Sequence, residues 1–256
     1  MAYTDIDKPS DYFNTKLYSG NGGTNAQTGV NFQPDFTWIK ARSNAENHIL
    51  TDSVRGVTKY LRSNANAAED TESAGITSFN SDGFTLGSFG QVNTNGWTFA
   101  SWNWKAGTSF TNDASGTGIG SIDSAGSVNT DAGFSIVSYT GSGSSATIAH
   151  ALGSKPDIIF TKQRDDTASW GGYVSALGAT KDVGLNTTGA ADADTSYWGD
   201  TEPTSTVFTV SSNARSNASG EAYIAYCFTN IKGYSKVGGS YTGNGNADGT
   251  FIYTGF

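Results

Sequence analysis

Acid–base or nucleophilic chemistry near neutral pH draws on His, Cys or a matched carboxylate pair. The chain offers two histidines, His48 and His150, and one cysteine, Cys227. His150 lies in Thr147-Ile-Ala-His-Ala-Leu-Gly153, at the end of a strand-like run. His48 aligns with Trp170 in an internal repeat, so its position accepts an aromatic ring and is not tied to proton transfer. Cys227 sits inside an apolar alternation and reads as a buried, inert thiol. A lone cysteine also excludes an internal disulfide and a Cys-based metal cage. Glycoside hydrolysis needs two facing carboxylates. Asp165 with Asp166, and Asp200 with Glu202, could be nominated, but both pairs lie in turn-like polar stretches where solvated loop residues are expected. Asp192-Ala-Asp194 has the alternate carboxylates of a calcium loop without its Gly and bidentate Glu, which leaves calcium open and unsupported. Gly178-Ala-Thr-Lys181 lacks the residue order of a phosphate loop. No catalytic residue, metal ligand or cofactor is expected.

Aromatic rings offer a better ligand surface, because indoles stack on sugar faces while Asn and Asp complete the hydrogen bonds. Trp97 pairs in the repeat with Glu221, which places it at an exposed position. Trp170 and Trp198 fall in loop-like segments and could form a binding edge. These three tryptophans are the candidate glycan contacts. Trp102 and Trp104 align with Tyr226 and Phe228 and read as core. Lys40/Arg42 and Lys162/Arg164 recur at one strand end in both copies, and a structural role capping carbonyls or pairing with Asp is expected for them.

The elements that would hold these groups are strands. Gly is abundant at 33, charged residues make up 15%, and Gly, Ser, Thr, Asn and Asp punctuate short apolar runs. Aromatics at 12% supply buried area that offsets the entropy of so much Gly. Residues 133–139 and 157–161 read as strands. In Ala222-Tyr-Ile-Ala-Tyr-Cys-Phe228, Tyr223, Ala225 and Cys227 share one face and Ile224, Tyr226 and Phe228 the other. Both faces are apolar, so this strand should be buried on both sides. Asp82-Gly83 and Asn95-Gly96 are hairpin signals. Ala65 to Ser73 is the one plausible helix.

The repeat organises all of this. Pro34-Asp-Phe-Thr-Trp-Ile-Lys-Ala-Arg42 matches Pro156-Asp-Ile-Ile-Phe-Thr-Lys-Gln-Arg164, and the register runs without a gap for about 28 residues. A second block pairs Asn93 with Asn217, Phe99 with Tyr223 and Trp104 with Phe228; a third pairs Tyr18-Ser-Gly-Asn-Gly22 with Tyr139-Thr-Gly-Ser-Gly143. The expected fold is all-β: two tandem β-sandwich, jelly-roll-like units of seven or so strands, over residues 1–107 and 131–240. Residues 108–130, rich in Gly, Ser and Thr, read as a linker. Residues 241–256 repeat the opening motif as Tyr241-Thr-Gly-Asn-Gly245, the start of a third repeat or a closing strand.

A net charge of −8 with a pI near 4.6 argues against nucleic-acid binding, which needs a concentrated basic surface. No apolar run approaches the roughly 18–20 residues of a membrane span, and the first residues lack a secretory signal. A soluble protein made in a cytoplasm is expected.

Several segments together resemble a known family: Asp7-Lys-Pro-Ser-Asp-Tyr-Phe13, Pro34-Asp-Phe-Thr-Trp-Ile-Lys40, Ser81-Asp-Gly-Phe-Thr-Leu-Gly87, Trp102-Asn-Trp-Lys-Ala-Gly107 and Tyr223-Ile-Ala-Tyr-Cys-Phe228. They are similar to tandem-repeat virion proteins of marine bacteriophages, often labelled tail-fibre-like. The resemblance covers nearly the whole chain and implies a non-enzymatic virion protein, made in the host cytoplasm. It would act as a tail fibre or receptor-binding module touching a host surface glycan. A capsid decoration or head-fibre protein, attached to other virion proteins through the residues before Tyr18, is the alternative. A polysaccharide-degrading tailspike is the less favoured reading. A homo-oligomer is implied, with a trimer the common fibre arrangement. Members continue into a third repeat, so the chain reads as a piece of a longer one. The resemblance assigns no site residues.

Overall fold

A computed structural model describes residues 4–238 and 241–254. In the first half, β1 (Phe13–Ser19), β2 (Asn25–Thr28), β3 (Phe36–Ala41), β4 (Ile49–Asp52) and β5 (Lys59–Arg62) are followed by β6 (Asp70–Thr71), β7 (Ile76–Asn80), β8 (Gly83–Leu86) and β9 (Thr98–Trp104). The second contains β10 (Thr108–Asn112), β11 (Ser124–Asn129), β12 (Phe134–Thr140), β13 (Ala146–Ala149), β14 (Ile158–Gln163), β15 (Gly171–Val174), β16 (Val207–Val210) and β17 (Ala222–Phe228). Four-residue helices α1 (Gly90–Asn93), α2 (Ala114–Thr117) and α3 (Thr195–Trp198) sit between strands. The protein is all-β with several antiparallel sheets, in the manner of a β-sandwich.

Two six-stranded sheets dominate, ordered β1-β9-β3-β4-β5-β6 and β10-β11-β12-β17-β14-β15. In each, the last long strand of its half lies between two earlier ones: β9 between β1 and β3, β17 between β12 and β14. The three-stranded sheet β2-β8-β7 covers one face of the first large sheet, burying Ile39, Phe84, Leu86 and Phe99. The pair β13-β16 covers one face of the second, burying Ile148, Ile159, Phe208 and Tyr223. The remaining faces of the two large sheets meet, with Phe36, Leu50 and Leu61 packed against Phe134, Ile136, Trp170, Ile224 and Tyr226. The result is four stacked layers with three apolar seams.

β17 follows from its alternation. Tyr223, Ala225 and Cys227 enter one seam, and Ile224 and Tyr226 the next. All five are at most 2% exposed. A strand buried on both faces needs apolar residues at every position, and this stretch supplies them.

Contacts recur between the halves. The Tyr18 hydroxyl donates to the Val92 carbonyl and its ring stacks on Phe99; the Tyr139 hydroxyl donates to the Ser216 carbonyl and its ring stacks on Tyr223. Asn93 and Asn217, both fully buried, each use their amide to tie three loop segments together. The glycine two residues after each tyrosine is required, because a Cβ on Gly20 or Gly141 would lie 2.2 Å from the Thr94 or Ala218 carbonyl oxygen.

Three expectations need correction. Residues 108–130 are not a free linker: β10 and β11 extend the second large sheet beyond β12, and Asp113 caps α2 between them. Their small side chains serve close packing, since a Cβ on Gly126 would lie 1.8 Å from the Ile136 carbonyl oxygen. Ala65 to Ser73 contains the short strand β6 and turns in place of a helix. Asn95-Gly96 turns the chain from α1 into β9, with the Trp97 amide donating to the Thr94 carbonyl, and joins no strand pair. Asp82-Gly83, by contrast, does sit at the β7–β8 hairpin.

Residues 241–254 enter no strand, and Tyr241, Phe251 and Tyr253 are exposed. Gly243, in the place that Gly20 and Gly141 occupy in their motifs, has nothing within 4 Å of its Cβ position. Residues 255 and 256 of the expected third repeat lie outside the described residues, as do residues 239 and 240 at the end of the second and residues 1–3.

Candidate functional site

The structure removes two of the three tryptophans expected to contact glycan. Trp170 is fully buried: its indole N–H donates to the Arg62 carbonyl across the seam and its ring stacks on Tyr226. Trp198 is 2% exposed, edge-on to Tyr173. Polar, loop-like sequence surrounds both, but each ring is drawn inward because the large sheets leave apolar surface that strands alone do not cover. Trp97 is half-buried and packs on the first-half core beside the Asn95-Gly96 turn.

The titratable groups are held in structural roles. His150 is fully buried; its Nδ1 accepts from the Leu152 amide and its Nε2 lies 3.2 Å from the Thr204 carbonyl. Burial pushes its pKa down to about 4, so the imidazole is neutral. The Trp38 indole N–H donates to His48 Nδ1, and burial, reinforced by Lys40, lowers the His48 pKa. Burial raises the Cys227 thiol to about 12, far from thiolate reactivity. Lys40 and Lys162 each donate to the carbonyl of the next residue, Ala41 or Gln163. Lys162 is sealed from solvent, and desolvation brings its pKa down to about 8.

The nominated carboxylates Asp165, Asp166 and Glu202 are likewise held by hydrogen bonds. Asp165 accepts from the Ala222 amide and Asp166 from the Thr167 amide. Glu202 takes the Lys155 ammonium, the Tyr173 hydroxyl and the Ala179 amide. Asp194 caps α3 through Ser196, and Asp192 accepts from the Tyr197 hydroxyl. Among the described residues no cluster of three His, Cys, Asp or Glu could hold a metal.

An ionic cluster spans the central seam. Arg55, with a fully buried side chain, binds Asp52 at 2.6 Å and Glu69 at 3.2 Å and donates to the Leu50 carbonyl. From the other half, the Tyr226 hydroxyl donates to Asp52 at 2.7 Å, and Arg164 grips both oxygens of Glu69 at 2.9 and 3.0 Å. Burial alone would favour loss of the Arg55 proton. The neighbouring Asp52, Tyr226 and Glu69 more than offset it, and the pKa lies above the ordinary arginine value.

Next to this cluster the seam opens into a cleft of about 380 Å³. Its walls are rings: Phe36, Trp38 and Trp104 from the first sheet, Phe134, Phe160 and Phe228 from the second, with Trp170 and Tyr226 behind them. The rings touch in series, with centroids 4.9 Å apart for Phe13–Trp104, 5.1 Å for Phe36–Trp104, 4.4 Å for Phe36–Tyr226 and 4.8 Å for Phe134–Phe228. Tyr234, Ser235, Lys236 and Val237 border it, and Lys236 is the charged residue among those lining it. This cleft is the candidate site. Reading the outer loops for ligand contacts missed it, although the double-sided alternation of β17 carried the signal. A sheet apolar on both faces needs two covers, and where the covers diverge a cavity forms.

No curated protein and no solved structure matches the chain. Residues 8–256 match a family described as a domain of unknown function, DUF7483, and the chain belongs to that family.

Proposed function

We propose that this chain is a non-enzymatic structural module of a bacteriophage virion, acting as a tail fibre or receptor-binding element. On this reading its two halves are tandem copies of one jelly-roll-like β-sandwich unit, fused face to face. The observation that carries it is the continuous central seam. Buried rings and the Arg55–Asp52–Glu69–Arg164 cluster weld the halves into one rigid slab, as a load-transmitting particle component requires. Support also comes from the resemblance of its motifs to phage repeat proteins and from the inward commitment of His150 and Cys227.

In the capsid-decoration alternative the residues before Tyr18 attach the chain to other virion proteins. In that segment the Asp5 amide donates to the Lys232 carbonyl and Tyr12 packs on Tyr234. Host contact through glycan would fall to exposed surface, with Trp97 the remaining candidate tryptophan. Association into a homo-oligomer, a trimer in the usual fibre arrangement, belongs to the same proposal.

Gold-labelled antibody against the chain, imaged on intact particles, tests the assignment. Label at the tail tip or fibres supports it, label over the capsid favours decoration, and no label on particles overturns the virion reading. Release of reducing sugars from host polysaccharide by the purified protein would overturn the non-enzymatic reading.

A further inference from the structure

The aromatic cleft between the two large sheets goes beyond a purely structural role. We propose that it binds a single-chain anionic amphiphile, with the alkyl chain between Phe36, Trp104 and Phe228 and the acidic head at the mouth beside Lys236. The inference is independent of the virion assignment, since it rests on the cleft's chemistry alone.

Size is the first argument. At about 380 Å³ the cleft lies in the range of about 300–1,000 Å³ that small-ligand sites occupy. Native interiors are packed closely enough that voids larger than a water are few, and apolar cavities take apolar guests.

The state of its polar atoms is the second. The Trp38 and Trp170 indole N–H groups donate to His48 Nδ1 and the Arg62 carbonyl. The Tyr226 hydroxyl donates to Asp52, Thr229 to the Lys155 carbonyl and Ser235 to the Thr229 carbonyl. The Trp104 indole N–H and the Tyr234 hydroxyl form no hydrogen bond among the described residues, but two donors are too few for the hydroxyls of a sugar that would lose its water among these rings. A hydrocarbon chain has no such requirement.

Charge is the third. The chain carries a net charge of −8, yet the charged residue lining this cleft is a cation. Lys236 is exposed and forms no ion pair among the described residues. An ammonium at the mouth of an apolar slot selects a carboxylate or phosphate head over an amine.

The test is a titration of the whole protein with laurate, dodecylamine and dodecanol below their aggregation limits. It is followed by tryptophan fluorescence, because Trp38 and Trp104 stand in the wall. Saturable binding of one laurate per chain, with dodecylamine at least about tenfold weaker, is expected. Lys236→Glu should weaken laurate about tenfold and leave dodecanol unchanged. Val237→Trp, which narrows the mouth, should abolish both without moving the melting temperature. Co-sedimentation with phosphatidylglycerol vesicles, lost in Val237→Trp, would mark a membrane lipid as the source; laurate binding without it would mark a free acid. Absence of saturable laurate binding, equal affinity for dodecylamine, or unchanged binding in both variants would overturn the proposal.

Discussion

His150 and Arg55 show how buried single residues tie this fold to pH and charge. The His150 pKa is held at about 4 by burial, against about 6.5 in an unfolded chain. Between those values the unfolded chain binds a proton that the folded chain refuses. The stability linked to His150 is therefore complete above about pH 6.5 and is lost as pH falls through 4, by about 3 kcal/mol. Urea midpoints compared at neutral and mildly acidic pH should fall steeply for the native protein and only shallowly for His150→Gln. Lys162 acts on the alkaline side, where its pKa near 8 lies below the unfolded value. Stability should rise as pH climbs from about 8 toward 10, and Lys162→Met should remove that rise. Arg55 sits between two carboxylates with its side chain fully buried, so Arg55→Met leaves the buried Asp52 without a countercharge, while Glu69 keeps Arg164, and should cost about 3–5 kcal/mol, read from the denaturation midpoint. Adding Asp52→Asn should restore part of that loss. Of these roles, the sequence made the inert thiol of Cys227 and the carbonyl-capping of Lys40 and Lys162 legible. The Arg55 cluster was not, because its partners Tyr226 and Arg164 lie more than a hundred positions away and no short-range pattern joins them.

Strands were more legible than loops. Alternation placed Ala222–Phe228 to the residue, and the repeat paired Tyr18 and Asn93 with Tyr139 and Asn217, residues that make matched hydrogen bonds. Composition misled where small residues serve two ends. In 108–129 they permit close seating of β11 on β12, a need that reads in sequence like flexibility. Trp170 and Trp198 misled in the opposite sense, since polar neighbours hid rings that plug the seam and the second-half core. Trp170→Ala and Trp198→Ala should each cost about 3–5 kcal/mol in thermal or urea unfolding. Any loss of host binding should follow the loss of fold and not precede it.

At the scale of the molecule, the shared seam makes the halves mutually dependent. The whole chain should unfold in one transition. Residues 108–237 made alone keep the whole second sheet but would leave Ile224, Tyr226 and Trp170 without their cover, and should bind a hydrophobic dye or aggregate. Two cooperative transitions in calorimetry of the whole chain would refute that dependence. The seam was half-visible beforehand: β17 announced a second apolar face, but what covers it is a tertiary fact, fixed when the first sheet presents Phe36 and Leu50. The position of β9 between β1 and β3, and of β17 between β12 and β14, carries one more consequence, for synthesis on the ribosome. Each half acquires its middle strand last, so the edges of β1 and β3, and of β12 and β14, that face it wait unpaired until it emerges. Compaction of the nascent chain should then come in two abrupt steps, one as Trp104 clears the exit tunnel and another as Phe228 does. Arrest-peptide force profiles would register these as two peaks separated by a quiet interval.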